Sequence, residues 1–507
     1  GDGSVEARVV GFADSRTILM PLGPLAGICR GDRVERVRSG RAVPVGRAAL
    51  GRVIDGRGEP IDGGGAIRPE ARVALHPEPI PPMSRRRITR PLATGVRTLD
   101  ALLTVGRGQR IGVFSGPGVG KSVLLGRVAR AAEADVTVVA LIGERGREVR
   151  DFLERDLGRE GLARSIVVVA TADDPPLLRV QAGAAALCAA EFFRDRGQDV
   201  LLLMDSLSRL AAAQRQIGLV AGEPPATRGY PPSVFALLPE LLERCGRTDR
   251  GSVTGMFTVL VEGDDMAEPV GEAVRAAADG HVYLSRELAH RGHWPAIVVL
   301  QSVSRVMIEV ADAEHRAAAA EVRRMIALHA GIEDLLRIGA YKRGADPDYD
   351  LAVRAMPRIR RFLTQEIGED SPFDETRAAL LELHEFLRAE EQAAQGRGAW
   401  SAAGEAGRMP GAETTWTGER NRARCSCGCG GSRRPRRATG SRGPEARPER
   451  SPREWTVCGR YSARTRPRRG RRCWPARATL RFTAATRPAC GMHWRPRAAS
   501  WPRHSAR

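Results

Sequence analysis

The chain has 507 residues, enough for several domains, and a formal net charge of +20. Residues 401–507 carry 26 Arg and 6 Glu with no Lys or Asp, so the whole excess lies there and residues 1–400 are neutral. That distribution argues against a nucleic-acid surface spread over the chain, and no apolar run reaches the roughly 20 residues a membrane-spanning helix needs.

Ahead of residue 400 the cysteines are Cys29, Cys188 and Cys245, scattered as small buried apolar groups rather than as a disulfide framework, which fits a reducing cytoplasm. No signal peptide is recognisable, so the protein is expected to be soluble. The start at Gly1, with strand-like sequence a few residues on, reads as a missing native N-terminus.

Residues 1–75 alternate short β-like runs (7–12, 17–20, 32–37 and 49–54) with Gly- and Pro-rich turns, and read as a small closed β-barrel. Phe12 is its one aromatic residue, too little for stacking on single-stranded nucleic acid, so a scaffold role is expected. A Pro-rich hinge, His76-Pro77-Glu78-Pro79-Ile80-Pro81-Pro82, opens a second domain over 76–310.

In that domain a strand-like run over 110–114 leads into Ser115-Gly116-Pro117-Gly118-Val119-Gly120-Lys121-Ser122-Val123, and helix-spaced apolar residues follow to 132. Strand, Gly-rich loop and helix in that order make a phosphate cradle. The glycines let backbone N–H groups turn toward an anion, and the helix N-terminus adds its dipole. The first loop position, usually Gly or Ala, is Ser115. Lys121 and Lys342 are the only lysines in a chain that otherwise uses arginine, so an ammonium at 121 reads as required. Lys121 is expected to reach the β- and γ-phosphates of a bound polyphosphate, and the Ser122 hydroxyl to ligate Mg²⁺.

Further apolar runs at 136–142, 165–170, 200–204, 253–261 and 297–300, separated by helix-period segments, predict a parallel sheet with helices on both faces. Chemistry in such sheets belongs at the carboxyl ends of the strands. Asp205 ends one run and is suited to hold Mg²⁺ through its water shell; Glu144 follows another and is suited to orient an attacking water. The competing readings are a solvated strand end for Asp205 and an ion-paired helix start for Glu144. Asp264, Asp265, His281, His290 and His293 make no convincing metal constellation.

Helix-spaced apolar positions over 314–328, 331–338, 350–362 and 373–387 predict a helical domain at 311–395. From 396 to 507 the composition turns to Arg, Pro, Trp and Cys, and beyond 400 the Leu, Ile, Val and Phe set is reduced to Val457, Leu480 and Phe482. Such a segment buries too little apolar surface to offset its ordering entropy, so it is expected to be disordered. Its abrupt onset reads as out-of-frame or read-through translation, with a basic nucleic-acid tail as the alternative. Cys425, Cys427 and Cys429 are too tightly spaced for a zinc knuckle.

Jointly these stretches resemble the ATPases of the flagellar and type III protein-export apparatus, themselves similar to the catalytic subunits of rotary ATP synthases. The resemblance is carried by Leu50-Gly51-Arg52-Val53-Ile54-Asp55, the phosphate loop, Gly143-Glu144-Arg145-Gly146-Arg147-Glu148-Val149, Asp205-Ser206-Leu207-Ser208-Arg209, Gly229-Tyr230-Pro231-Pro232-Ser233-Val234-Phe235, Leu284-Ser285-Arg286-Glu287-Leu288 and Ser302-Val303-Ser304-Arg305-Val306-Met307. The Gly-Arg-Glu-Val ending after Arg145 looks like the export branch, where rotary catalytic subunits typically have Thr-Arg-Glu-Gly.

The resemblance implies a RecA-like ATPase domain between a small β-barrel and a helical domain. It makes Glu144 the catalytic carboxylate, Arg145 a phosphate-side helper and Arg305 an arginine finger offered to a neighbour, hence a homohexamer. It implies that Trp294, where the family usually has Tyr, packs on adenine, with Phe373 as a second adenine contact; Val298 stands where many relatives have Asp. Partners implied are export-gate, stalk and regulator proteins, export substrates with their chaperones, and a peripheral contact with the inner membrane; nucleic acid is not expected. The family's extreme N-terminal segment, which contacts a regulator and the membrane, is not recognisable. The rival readings are a rotary ATPase catalytic subunit and an RNA-translocating hexamer.

Overall fold

The computed structural model describes residues 4–13, 16–29, 31–37, 42–261, 268–406 and 479–483. The chain divides into two compact units, residues 1–397 with 476–507, and residues 398–475. In the second, the described residues 398–406 are the end of a helix.

The first 75 residues supply strands β1 (Val5–Ala13), β2 (Arg16–Pro21), β3 (Arg33–Val37), β4 (Ala42–Val45), β5 (Val53–Asp55) and β6 (Ala71–Ala74). The region after residue 76 supplies β7 (Arg110–Ser115), β8 (Val136–Glu144), β9 (Ser165–Thr171), β10 (Asp199–Asp205), β11 (Gly246–Arg247), β12 (Ser252–Leu260), β13 (Gly280–Leu284) and β14 (Val303–Ser304). The central sheet runs β14-β13-β7-β12-β10-β8-β9-β5, parallel except for β14, with β11 antiparallel on β12.

Continuous apolar runs suit this sheet because both faces are covered, and the period of two sorts their side chains. Val138, Ala140, Ile166, Val168, Leu202 and Met204 face one core with the helices Pro176–Arg194, Leu207–Val220 and Pro232–Glu243. Val139, Leu141, Val167, Val169, Leu201 and Leu203 face the other, packing with Leu99, Leu124, Leu125, Val128 and Phe152.

Two expectations need correction here. The segment 49–54 is not a barrel strand: Val53 and Ile54 are both buried, which requires cover on both faces, and β5 finds it by pairing parallel to β9 at the edge of the central sheet. The remaining N-terminal strands divide between a four-stranded sheet holding β1, β2 and β3 and a separate β4–β6 pair. The run 297–300 is not a parallel strand either. Pro295 interrupts the ladder just before it, Ile297 makes one isolated bridge to Leu284, and Val299–Gln301 form a 3₁₀ turn. The sheet continues through β13, which the pattern search passed over.

Helices Ala313–Arg337, Pro347–Leu363 and Phe373–Ala406 form the C-terminal helical region. The first is continuous through Gly331 rather than two helices. Val322, Met325, Ala355, Ile359, Leu380 and Leu383 make its core, which also includes Ala101, Leu102 and Val299 from the region of the central sheet. The tail also departs from expectation. The last helix runs to Ala406, its end mixing favourable alanines with Gly396, Gly398 and Gly404, each a poor helix former. Thr479–Thr483 form β15, inserted antiparallel between β1 and β3; this Thr-Leu-Arg-Phe-Thr stretch alternates apolar and polar residues with the period of a strand. The remaining calls on the tail, including Cys425, Cys427 and Cys429, lie outside the described residues, as do Asp264 and Asp265.

Leu202 is fully buried in β10 whereas Met83 is 93% exposed. Leu202→Ala should therefore lower unfolding free energy by about 2–5 kcal/mol and Met83→Ala by less than about 0.5 kcal/mol, read from denaturant midpoints at unchanged slope.

Candidate active site

The loop after β7 is held by Val119, which is buried in the sheet core, while Pro117 and Gly118 are exposed. Gly118 (φ 77°) and Gly120 (φ 82°) take left-handed conformations that side-chain-bearing residues avoid. Helix Lys121–Ala131 starts directly after Gly120, so its unpaired N–H groups open toward the loop. A Cβ at Gly120 would collide with the ring of Trp294, and one at Gly116 would lie 2.8 Å from the Arg286 guanidinium. The loop is thus flanked by an indole and a cation.

Three strand ends meet at the lysine. Lys121 Nζ lies 2.5 Å from Asp205 Oδ1 at the end of β10 and 3.8 Å from Glu144 Oε1 at the end of β8. Thr258, from β12, donates to Asp205 Oδ1 at 2.7 Å. Arg209 donates to the Gly143 carbonyl and lies 3.2 Å from Glu144 Oε2. The Asp205–Ser206 and Trp294–Pro295 peptide bonds are cis.

The two carboxylates are not equivalent. Asp205 is matched by Lys121 and Thr258, while Glu144 Oε1 is buried without a hydrogen-bond partner. Burial, a hydrogen bond shared with Glu148 and the nearby Asp205 charge push the Glu144 carboxyl up to about 7, against the pull of Lys121 and Arg209. The shared hydrogen bond holds the exposed partner, Glu148, below its ordinary value.

The other candidates are placed as follows. Ser122 is exposed at the first turn of the loop helix, beside half-buried Val123. Arg145 caps the helix Gly146–Asp151 and its side chain is 79% exposed, 3.8 Å from Glu148. Arg305 is exposed just after β14, far along the sheet from Lys121, with its backbone N–H on Asp279 and Nη1 on the Ala278 carbonyl. Trp294 lies against Gly120 of the phosphate loop. The ring of Phe373 tilts against His315, centroids 6.1 Å apart, and the buried His315 ring bonds the Ala101 carbonyl. The motif reading passed over Thr258 and the holding role of Arg209, whose partners lie on other strands; the sole sequence signal was the proximity of Arg209 to Asp205.

A lysine at the first residue of a loop helix, facing carboxylates from neighbouring parallel strands, defines the class: this is a P-loop nucleoside triphosphatase. Residues 95–304 match the ATP synthase alpha/beta family nucleotide-binding domain, and residues 311–382 match the T3SS EscN ATPase C-terminal domain. The chain is 49% identical over 379 residues to the flagellum-specific ATP synthase of Bacillus subtilis, covering 75% of this chain and 86% of that protein. It is 51% identical over 375 residues to the type 3 secretion system ATPase of Sinorhizobium fredii, covering 74% and 83%. Its fold matches the assembled ATPase EscN of enteropathogenic E. coli with a TM-score of 0.72 at 42% identity, over 76% of this chain and 95% of that one. The chain belongs to the flagellar and type III secretion ATPase family, and it is an ATP-hydrolysing enzyme of that export machinery. The rotary-subunit and RNA-translocase readings are not favoured. Among the described residues no helix is long and apolar enough to cross a membrane.

A carboxyl raised from 4.5 in the unfolded chain to about 7 when folded contributes stability that is complete below about 4.5 and lost as pH rises through 7. Glu144→Gln removes that loss. The variant should gain melting temperature over the parent at pH 8, with the gain shrinking toward pH 5; a pH-independent difference between the two melts would contradict the assignment.

Proposed function

We propose that the chain hydrolyses Mg²⁺-ATP at sites completed between subunits of a homohexameric ring, and that the ring unloads and unfolds export substrates for a secretion gate. The observation that carries this reading is the convergence of Lys121, Asp205 and Glu144 at the carboxyl edge of the sheet.

The donor set fits the metal: Ser122 is exposed in the first turn of the loop helix, the Asp205 carboxylate meets the neighbouring Lys121, and the buried Glu144 Oε1 has no hydrogen-bond partner. Ser122 and Asp205 would hold Mg²⁺, which when bound neutralises phosphate charge. The amides of Gly116, Pro117-Gly118, Val119, Gly120, Lys121, Ser122 and Val123 frame the phosphates, with Pro117 supplying shape rather than an N–H. In this reading Lys121 exchanges Asp205 for phosphate oxygens, Glu144 orients and deprotonates water, and Arg145 assists from the phosphate side. Trp294 covers adenine. Phe373, whose ring tilts against His315, would be a second adenine contact.

Arg305 completes a neighbour's site by stabilising charge on its transferring phosphoryl group. The solved structure of EscN in complex with its central stalk EscO, 41% identical to this chain with a TM-score of 0.70, supports a ring that works with a stalk protein. Export-gate proteins, a regulator, chaperoned substrates and peripheral contact with the inner membrane complete the proposed setting.

Lys121→Ala and Glu144→Gln should each abolish phosphate release, with Glu144→Gln still binding ATP. Arg305→Ala should also be inactive, yet mixing Lys121→Ala with Arg305→Ala subunits should restore measurable turnover, because some interfaces then pair an intact lysine with an intact arginine. Mixed rings as inactive as either parent would remove the shared site.

A further inference from the structure

Gln365 follows the helix Pro347–Leu363 and is 2% exposed. Its side-chain amide accepts from Arg97 N at 3.0 Å and donates to the carbonyls of Gly95 at 2.9 Å and Glu369 at 2.8 Å. Its own backbone N–H donates to the Trp294 carbonyl at 2.7 Å. One residue of the helical region therefore grips two separate backbone segments of the ATPase region.

Both segments abut the phosphate-loop helix, at opposite ends. Trp294 lies against Gly120, immediately before Lys121. Gly95, at φ 71°, is so close to Ala131, the last residue of the same helix, that a Cβ there would collide with it. Arg97 reinforces the grip by donating to the Phe362 carbonyl at 3.1 Å and pairing with Glu369. Buried amides with three satisfied partners are costly to disturb, since each loss strands a buried polar group.

We propose that Gln365 is a positioning residue: its side-chain amide, anchored on Gly95, Arg97 and Glu369, fixes the backbone N–H that holds Trp294 over the phosphate loop, so that nucleotide affinity is set from the helical region. A displacement of the helix Pro347–Leu363 reaches the nucleotide through Gln365 and the Trp294 carbonyl. The inference rests on the reading of Trp294 as the adenine-covering ring.

The test is steady-state ATP hydrolysis by the full chain. Gln365→Met keeps the side-chain length and deletes all three amide hydrogen bonds; it should raise KM for ATP about tenfold with kcat within about twofold. Gln365→Asn, one methylene short, should fall between parent and Met and guards against a Met variant that fails to fold. In a Trp294→Ala background the Gln365→Met change should add less than about twofold to KM, because the ring it positions is gone. A full tenfold cost persisting in that background would overturn the inference while leaving the adenine contact standing. An unchanged KM in Trp294→Ala alone would remove the adenine contact and this inference with it. A kcat loss at unchanged KM would assign Gln365 a different role and overturn the proposal.

Discussion

A single ammonium held between two carboxylates is the constraint on which the site depends. Lys121, Asp205 and Glu144 are each nearly buried, with side chains 12%, 5% and 11% exposed. A buried charge left alone costs several kcal/mol, so the Lys121 ammonium and the Asp205 carboxylate depend on each other, while burial leaves Glu144 more ready to carry a proton. The strand order supplies them. Lys121 follows β7, Asp205 ends β10, Glu144 ends β8, and β12 between β7 and β10 contributes the Thr258 hydroxyl that holds Asp205.

The same arrangement divides labour between the acids. Asp205 has a lysine and a hydroxyl as partners, whereas Glu144 has one buried oxygen without a hydrogen-bond partner and a proton affinity raised by burial. A carboxyl whose proton affinity is raised in this way is suited to accept a proton beside one that holds a cation. Arg209 keeps Glu144 aimed by gripping its carboxylate and the Gly143 carbonyl together. Gly143, at φ 72°, is the kink that turns the end of β8 toward the lysine.

Features encoded in contiguous residues were legible in the sequence. The phosphate loop, Asp205 and Glu144 each follow a buried apolar run, so local pattern and the rule for parallel sheets were enough to locate them. Features made by contacts between distant segments were not. Gln365 looks like an ordinary polar residue after a helix, and Thr258 like one more β-branched residue inside a strand. For Phe373, nothing local shows that its ring packs with His315. The short N-terminal strands failed for a related reason: a three-residue run such as Val53–Asp55 has no periodicity to show which sheet will cover it. In the tail, composition outweighed the local alternation of Thr479–Thr483.

The position of Arg305 then constrains how the site can be completed. β14 pairs with the start of β13, Gly280 opposite Ser304, and Gly280 lies level with Ile111 near the start of β7. The phosphate loop leaves the other end of β7, four residues further on, which is about 13 Å at strand rise. It is also two strands across, about 10 Å more. An arginine anchored through its backbone to Asp279 cannot span that diagonal within its own subunit. If Arg305 neutralises a phosphoryl charge at all, the phosphate belongs to another chain, and a single subunit then carries the two halves of two different sites rather than one whole one.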